Sequence, residues 1–266
     1  MRNFVFLEGL DKDIQSSLVN QLRDLWTHTS TSLEGNTLSL GETKFVIEEG
    51  LTISGKPLKD HQEVIGHAHA IEILYDLINK NITEQSIFDL HIAVQTQVVN
   101  DIYKPQGDWK NEPNGTYAVD KDGNQVFIDY APPADVPELM QEWLAELKAL
   151  SKQSLSVSEA VSAYSHLHLG FVHIHPFWDG NGRLARLLSN IPLLKSGFPP
   201  LVISQKDRKK YIQLLANYEI DSGTITTGSG VWPETRSHGE FDNFCMAAYQ
   251  VTLDLVENAK RQQQER

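Results

Sequence analysis

The chain has 266 residues, 40% of them apolar and 22% charged, which is the composition of a globular protein with a sizeable core. Acidic residues outnumber basic ones by 35 to 23, and the net charge of −12 argues against non-specific nucleic-acid binding. The single cysteine, Cys245, excludes an intramolecular disulfide and a zinc site built from cysteines. We find no secretory leader and no long apolar run, so we expect a cytoplasmic protein without a membrane span.

Apolar residues recur at helical spacing through most of the chain. The first helix has Leu18, Leu22 and Leu25 on one face. The same spacing continues in segments 61–78, 84–99, 136–151, 158–173 and about 241–263. The pattern predicts a mainly α protein, a bundle of helices.

One segment has the composition of strands. Residues 115–133 hold β-favouring residues on both sides of Asp122-Gly123, and an Asp-Gly pair between such runs predicts a β-hairpin. Residues 222–239 are rich in glycine and lack periodicity, so we predict a loop there.

Four histidines occur within ten positions: His166, His168, His173 and His175. On a helix, residues two apart point about 200° away from each other, so His166 and His173 share a face that His168 does not. We therefore interpret most of these histidines as packing or surface residues rather than as a metal site.

A glycine-rich turn follows these histidines. Pro176 disfavours helix at His175, and Asp179-Gly180-Asn181-Gly182 then leads into RLARLLSNIPLL, which has helical periodicity. The start of this second helix has free backbone N–H groups, which form an anion site, and the glycines let a phosphate approach closely.

Charged residues around the turn fit the chemistry of polyphosphates. Arg183 and Arg186 lie three apart on the second helix, Asp179 offers an oxygen ligand of the type that Mg²⁺ prefers, and His175 can accept a proton near neutral pH. These residues indicate phosphoryl or nucleotidyl transfer. A helix capped by aspartate, with arginines on its surface, is the alternative interpretation.

The segment HPFWDGNGRLAR, residues 175–186, resembles the Fic family signature His-x-Phe-x-Asp/Glu-Gly-Asn-Gly-Arg-x-x-Arg at every fixed position. The similarity extends over about residues 30–220. The resemblance implies a mostly helical bundle with one small β-hairpin, called the flap, at about residues 115–131. It also implies three segments: an N-terminal helical region over 1–60, the core over 61–220, and a glycine-rich loop with a C-terminal helix over 221–266.

The resemblance implies a reaction, the transfer of AMP from ATP to a Ser, Thr or Tyr hydroxyl of a target protein. By this resemblance, His175 is the base, Phe177 anchors the loop and Asp179 holds Mg²⁺. The phosphates are bound by Gly180, Asn181, Gly182, Arg183 and Arg186. UMP, phosphate or phosphocholine transfer stays an alternative, as does a nucleotide-sensing binding module with little turnover.

The resemblance also assigns residues outside the turn. Ile128, Asp129 and Tyr130 fall where the family contacts nucleotide or target, and Tyr211 aligns with a position that often packs on the base. An ordinary surface hairpin and a core tyrosine are the structural alternatives. The target is expected to lie along the flap, and the protein itself stays open as a target. Nucleic acid and membrane are not expected as partners, and a homodimer stays open.

Residues 30–40, STSLEGNTLSL, resemble the family's inhibitory motif Ser/Thr-x-x-x-Glu-Gly/Asn. Ser30 and Glu34 match it, and the resemblance implies that Glu34 pairs with Arg186 and removes the partner of the ATP γ-phosphate. A solvated glutamate at a capped helix end is the alternative. In some relatives the same glutamate helps water to remove AMP from a modified target.

Overall fold

The computed structural model describes residues 4–95, 102–120, 122–235 and 237–265. Within them the chain forms ten α-helices and one hairpin. The helices are α1 (Lys12–Leu33), α2 (Leu40–Glu49), α3 (Leu58–Leu77), α4 (Glu84–Val94), α5 (Val136–Leu150), α6 (Val157–Ile174), α7 (Asn181–Leu188), α8 (Ile191–Lys195), α9 (Arg208–Ser222) and α10 (His238–Gln264). The predicted mainly α class is confirmed.

The predicted helix over 84–99 is too long, because α4 ends at Val94, where the backbone of Gln95 is already extended; residues 96–101 lie outside the described part. The helix predicted from about residue 241 begins earlier, at His238.

The central helix of the bundle is α6, which packs against α5, α7, α8 and α10. It begins with a capping box, in which Ser156 and Glu159 satisfy each other's backbone N–H groups. Its middle is buried all round, as at Leu167 and Phe171. The indole N–H of Trp143 on α5 donates to the Leu167 carbonyl at 2.8 Å. A helix buried on all sides holds its C-terminal end, and therefore the following turn, in a fixed place.

One apolar core includes side chains from all three predicted segments. Leu18 and Leu22 of α1, Leu74 of α3, Phe171 of α6 and Val256 of α10 belong to the same cluster. The segment boundaries at 60 and 220 stay predictions.

The hairpin consists of β1 (Gly115–Val119) and β2 (Gln125–Asp129), paired antiparallel with Tyr117 opposite Phe127. The Asp120 side chain accepts backbone N–H groups across the turn. Gln213 of α9 donates to the Val119 carbonyl at 3.1 Å, and the hairpin packs against α9. Among the described residues, no helix is long and apolar enough to cross a bilayer.

Candidate active site

His175 stands at the end of α6 in a left-handed backbone conformation, with φ of 51°. Its Nδ1 lies 3.1 Å from the Val172 carbonyl, which can only accept, so Nδ1 carries the hydrogen and Nε2 is left as the proton acceptor. The ring stacks on Tyr130 with centroids 3.7 Å apart. Burial, with a smaller effect of Lys110, lowers the pKa of His175 to about 3, so the ring is neutral at physiological pH.

A short segment before the hairpin supports the backbone around His175. Lys110 is buried, and its Nζ donates to Asn114 at 2.7 Å and to the Ile174 carbonyl at 3.3 Å. The Lys110 backbone N–H donates to the Pro176 carbonyl, and the Asn114 amide donates to the Phe177 carbonyl. Burial lowers the pKa of Lys110 to about 7. Sequence analysis missed both residues, because a lysine in an irregular segment gives no periodic signal of burial.

The side chain of Asn181 fixes the conformation of the turn. The side chain of Asn181 is buried; its oxygen accepts the Phe177 N–H at 2.9 Å and its amide donates to the Phe177 carbonyl at 2.8 Å. Phe177 is fully buried, as expected for an anchor. Gly180 has a φ of 85°, which the turn requires. Asn181 therefore shapes the anion site with its side chain and can bind an anion only through its backbone.

The start of α7 has backbone donors for an anion. The backbone N–H groups of Asn181, Gly182 and Arg183 have no hydrogen-bond acceptor within the described part of the chain. These groups, at the positive end of a helix dipole, form the anion site that the sequence predicts.

Asp179 and Arg183 pair at the outer side of the turn. The Arg183 guanidinium donates to the Asp179 carboxylate at 3.3 Å and to the Val94 carbonyl at 2.8 Å. Arg183 is buried, whereas 53% of the Asp179 side chain is exposed. Within the described residues no cluster of three or more side chains could hold a metal. Asp179 alone fits Mg²⁺ as one hard-oxygen ligand beside the phosphates and water.

Arg186 is buried, and four of its five guanidinium N–H groups donate to residues from other parts of the fold. It donates to the Ser30 hydroxyl and carbonyl at 3.0 and 2.9 Å, to Glu34 at 2.7 Å and to the Tyr211 hydroxyl at 3.1 Å. The Tyr211 hydroxyl also lies 3.1 Å from Nε2 of His168. Burial alone would lower the pKa of Arg186, but Tyr211 and Glu34 raise it above its usual value.

Glu34 is the residue that ends α1, directly before Gly35, which has a φ of 99°. Its carboxylate lies against the start of α7: a Cβ added to Gly182 would be 2.4 Å from Oε1. Ser30 and Glu34, four residues apart, therefore meet the distant Arg186, as the resemblance implies.

A cavity of about 420 Å³ lies beside these groups. Of the predicted site residues, those that line it are His175, Gly182, Glu34, Tyr130 and Tyr211. Ile128 points into the interior and Asp129 lies exposed on β2, and neither lines the cavity. The hairpin contributes Thr116, Tyr117, Ala118 and Val119 of β1 instead. The difference arises because β1 is the strand that packs on α9, and the sequence does not show which of two paired strands faces that helix.

The other histidines of the opening cluster have separate partners. His166 stacks on Trp232, His168 meets Tyr211, and His173 lies 2.8 Å from the Gly223 carbonyl. They do not converge with His175 on one point.

Residues 81–193 match the model of the Fic/DOC family. The protein adenylyltransferase fic-1 of Caenorhabditis briggsae is 33% identical over 189 residues, which are 70% of this chain and 35% of that protein. The protein adenylyltransferase Fic of Drosophila persimilis is 32% identical over 191 residues, 70% of this chain and 34% of that protein. The chain thus spans about a third of the length of these relatives.

Solved structures share the fold. A Fic-domain-containing signalling protein from Bacteroides thetaiotaomicron has a TM-score of 0.81 and 27% identity, covering 96% of this chain and 92% of that one. Fic-1 from Caenorhabditis elegans superposes with a TM-score of 0.73 at 23% identity, over 98% of this chain and 69% of that one. With the signature intact and the fold matched along its length, the chain contains a Fic/DOC family domain over residues 81–193.

Proposed function

We propose that this protein transfers AMP from ATP to a Ser, Thr or Tyr hydroxyl of a target protein. The observation that supports this best is that one cavity contains both the neutral ring of His175 and the start of α7 at Gly182. A proton acceptor next to an anion site is what nucleotidyl transfer requires. The adenylyltransferase names of the relatives point the same way.

In the proposed reaction, Nε2 of His175 accepts the hydroxyl proton as the hydroxyl oxygen attacks the α-phosphorus of ATP. The new P–O bond joins AMP to the target, and the bond to the bridging oxygen breaks, so pyrophosphate leaves with the electron pair. The free N–H groups at the start of α7 stabilise the charge on the phosphate oxygens. Bound ATP is anionic and will raise the low pKa of His175 toward neutral, where a base is more effective.

Mg²⁺ belongs to the proposal as the partner of Asp179. When bound, it would neutralise charge on the ATP phosphates and favour the departure of pyrophosphate. The predicted phosphate contacts of Gly180, Asn181 and Arg183 stay proposals, as does the packing of Tyr211 on the base. In the structure Arg183 pairs with Asp179, and Tyr211 contacts Arg186.

We also propose that Glu34 keeps the enzyme inhibited. Four of the five guanidinium N–H groups of Arg186 donate to Ser30, Tyr211 or Glu34, and the Glu34 carboxylate lies over Gly182. Glu34 therefore keeps a phosphate from pairing with Arg186 while it stays in place. Opening this contact frees one N–H group of Arg186 and the space over Gly182 together. The cost is modest, because the Glu34 side chain is 42% exposed and Ser30 continues to satisfy the arginine.

The target is expected to add to the flap through its backbone. Within the described residues β2 pairs only with β1, so its outer edge has free backbone groups. Such an edge binds an extended segment without reading many side chains. The cytoplasmic location and a homodimer stay predictions from the sequence.

The test of the reaction uses ATP labelled on the α- or the γ-phosphate, a cell lysate as the source of targets, and the Glu34→Gly variant. We expect protein to be labelled from α-labelled ATP only, and to lose the label when His175→Ala is added. Labelling from γ-labelled ATP indicates phosphate transfer instead. Nucleotide binding without any transfer indicates a sensing module.

The test of inhibition compares wild type with Glu34→Gly in the same assay. We expect at least a tenfold rise in labelling, on the scale of one charge-assisted contact. The matched control is Glu257→Gly, a change at an exposed site on α10. Equal labelling by wild type and Glu34→Gly would remove the inhibitory role.

A further inference from the structure

A buried carboxyl group lies in the wall of the cavity and has no role in the reaction above. Glu219 is on α9, eight residues after Tyr211, and both line the cavity. Only 5% of Glu219 is exposed, and within the described part of the chain its carboxyl group has no hydrogen bond or ion pair. Carboxyl groups are rarely buried without a partner. One that faces a cavity therefore points to a ligand.

The position of Glu219 fits the base of a bound nucleotide. Tyr211 contacts Arg186, beside the phosphate end of the cavity. Eight residues of helix rise about 12 Å, which is comparable with the length of a nucleotide from its phosphates to the outer edge of its base. With phosphates at the start of α7, the base reaches the part of the cavity where Glu219 lies.

Within the described part of the chain, no cation lies close enough to Glu219 to hold it ionised. Burial raises its pKa to about 8. The charged residues in the same cavity wall are Glu34 and Arg208, and Arg208 donates to the Leu33 carbonyl. The other titratable groups facing the cavity or packed beside Glu219 are Tyr117, Tyr130, His175, Tyr211 and Tyr218. Both forms of the carboxyl are therefore accessible near neutral pH.

The two forms read different bases. A protonated carboxyl has one donor and one acceptor, which match N1 and the N6 amino group of adenine. A carboxylate has two acceptors, which match the N1–H and the N2 amino group of guanine. Guanine can meet a protonated carboxyl through O6 and N1–H, but its N2 amino group then has no acceptor there. Adenine beside a carboxylate has N1 facing a second acceptor. Each wrong pairing therefore leaves one buried group of the base unsatisfied.

We propose that Glu219 binds the hydrogen-bonding edge of the donor base and that its proton selects adenine over guanine. The proposal rests on the proposed nucleotidyl transfer at the same cavity. It makes the choice of donor dependent on pH: ATP is favoured while Glu219 is protonated, and GTP gains as the proton is lost.

The test measures transfer rates with ATP and with GTP in the Glu34→Gly background, from about pH 6 to about pH 9.5. The ratio of the two rates cancels the titration of His175 and of the target, which affect both donors alike. We expect the ATP to GTP ratio to fall at least fivefold across this range, the lower limit for one bidentate base contact.

Glu219→Gln is the discriminating variant, because its amide has a donor and an acceptor at every pH. We expect its ratio to favour ATP and to be flat with pH, whereas Glu219→Ala loses most of the preference. Glu257→Gln, the same change at an exposed site, should keep the parent profile. A parent ratio that does not vary with pH, or one that varies equally in Glu219→Gln, overturns the proposal.

Failure of the proposed function is distinguished by adding His175→Ala. If labelling does not depend on His175, the transfer proposal fails. If labelling depends on His175 but the ATP to GTP ratio is unaffected by Glu219→Gln, only the proposal about the base fails.

Equilibrium binding of ATP and GTP to the Glu34→Gly, His175→Ala protein at both pH limits gives a readout that needs no turnover. We expect the ratio of the two affinities to change with pH in this protein and to stay constant when Glu219→Gln is added. The same ratio with and without Glu219→Gln, at both pH limits, contradicts the proposal.

Discussion

The backbone of His175 is held in a conformation that other residues must stabilise. Among the described residues it is the one non-glycine with positive φ. Such a conformation costs on the order of 1 kcal/mol or more for a residue with a side chain. Lys110 and Asn114 bind the carbonyls on both sides of it, and Tyr130 covers the ring. The catalytic ring is thus positioned by a segment far from it in the sequence.

Lys110→Met should impair transfer while the fold survives. The change removes the donor to the Ile174 carbonyl and a positive charge that lowers the pKa of His175. In the Glu34→Gly background we expect kcat to fall about tenfold or more, and the acid limb of the pH–rate profile to move to higher pH.

The matched control for this change is Lys260→Met, at an exposed position of α10. It should leave both the rate and the profile at the values of the Glu34→Gly parent. An unaltered pH profile in Lys110→Met, with the rate intact, would show that Lys110 does not position His175.

At the scale of elements, the end of α4 contacts the glycine-rich turn before α7. Helix α4 packs closely on α3: a Cβ added to Gly66 would lie 2.4 Å from the Ala93 carbonyl oxygen. The end of α4 then holds the turn, because His91 and Gln95 contact the Asp179 carbonyl and Arg183 donates to Val94. The close approach of the two helices is therefore part of how the anion site is built.

Gly66→Ala should destabilise the protein by about 1–3 kcal/mol, because the neighbour is backbone and the helices must separate. The control is Gly41→Ala in α2, where a Cβ meets nothing within 4 Å and alanine is the better helix former. Urea unfolding measures both. A Gly66→Ala protein as stable as Gly41→Ala would contradict this account of the α3–α4 contact.

Elements with a local signal could be predicted from the sequence. Signals from neighbouring residues predict α5 and α6, the Asp-Gly turn and the glycine-rich turn before α7. The predicted bounds of these elements agree with the structure to within one or two positions. Contacts between distant segments could not be derived from pattern. The meeting of Glu34 with Arg186 was predicted only by resemblance, and nothing local distinguishes Lys110 or Glu219 from a surface residue.

At the scale of the whole molecule, burial of histidines makes stability depend on pH. Burial lowers the pKa of His91, His166 and His173 to about 4 and that of His175 to about 3. In the unfolded chain these rings take up protons below about pH 6.5, whereas the folded protein does not. The free energy of unfolding therefore decreases as pH falls through this window. Glu219, whose pKa is raised in the folded protein, has the opposite effect, but it contributes only one proton.

We expect the free energy of unfolding to decrease between about pH 6.5 and about pH 4, by up to about 1.4 kcal/mol per pH unit for each net proton. Urea unfolding at several pH values measures it. Stability that is constant or rises on acidification would mean that these rings are protonated in the folded protein.

Also at this scale, one cavity is lined by residues of α6, α7, α9 and the flap, and by Leu33 and Glu34 at the end of α1. The proposed function depends on the reaction of ATP in that cavity. The most direct measurement is mass spectrometry of proteins incubated with ATP and the Glu34→Gly variant, with and without His175→Ala. We predict AMP attached to Ser, Thr or Tyr side chains in the first sample and none in the second. Equal modification in both samples, or bound ATP with no AMP on any protein, would contradict the claim that His175 and the start of α7 form an adenylyl-transfer site.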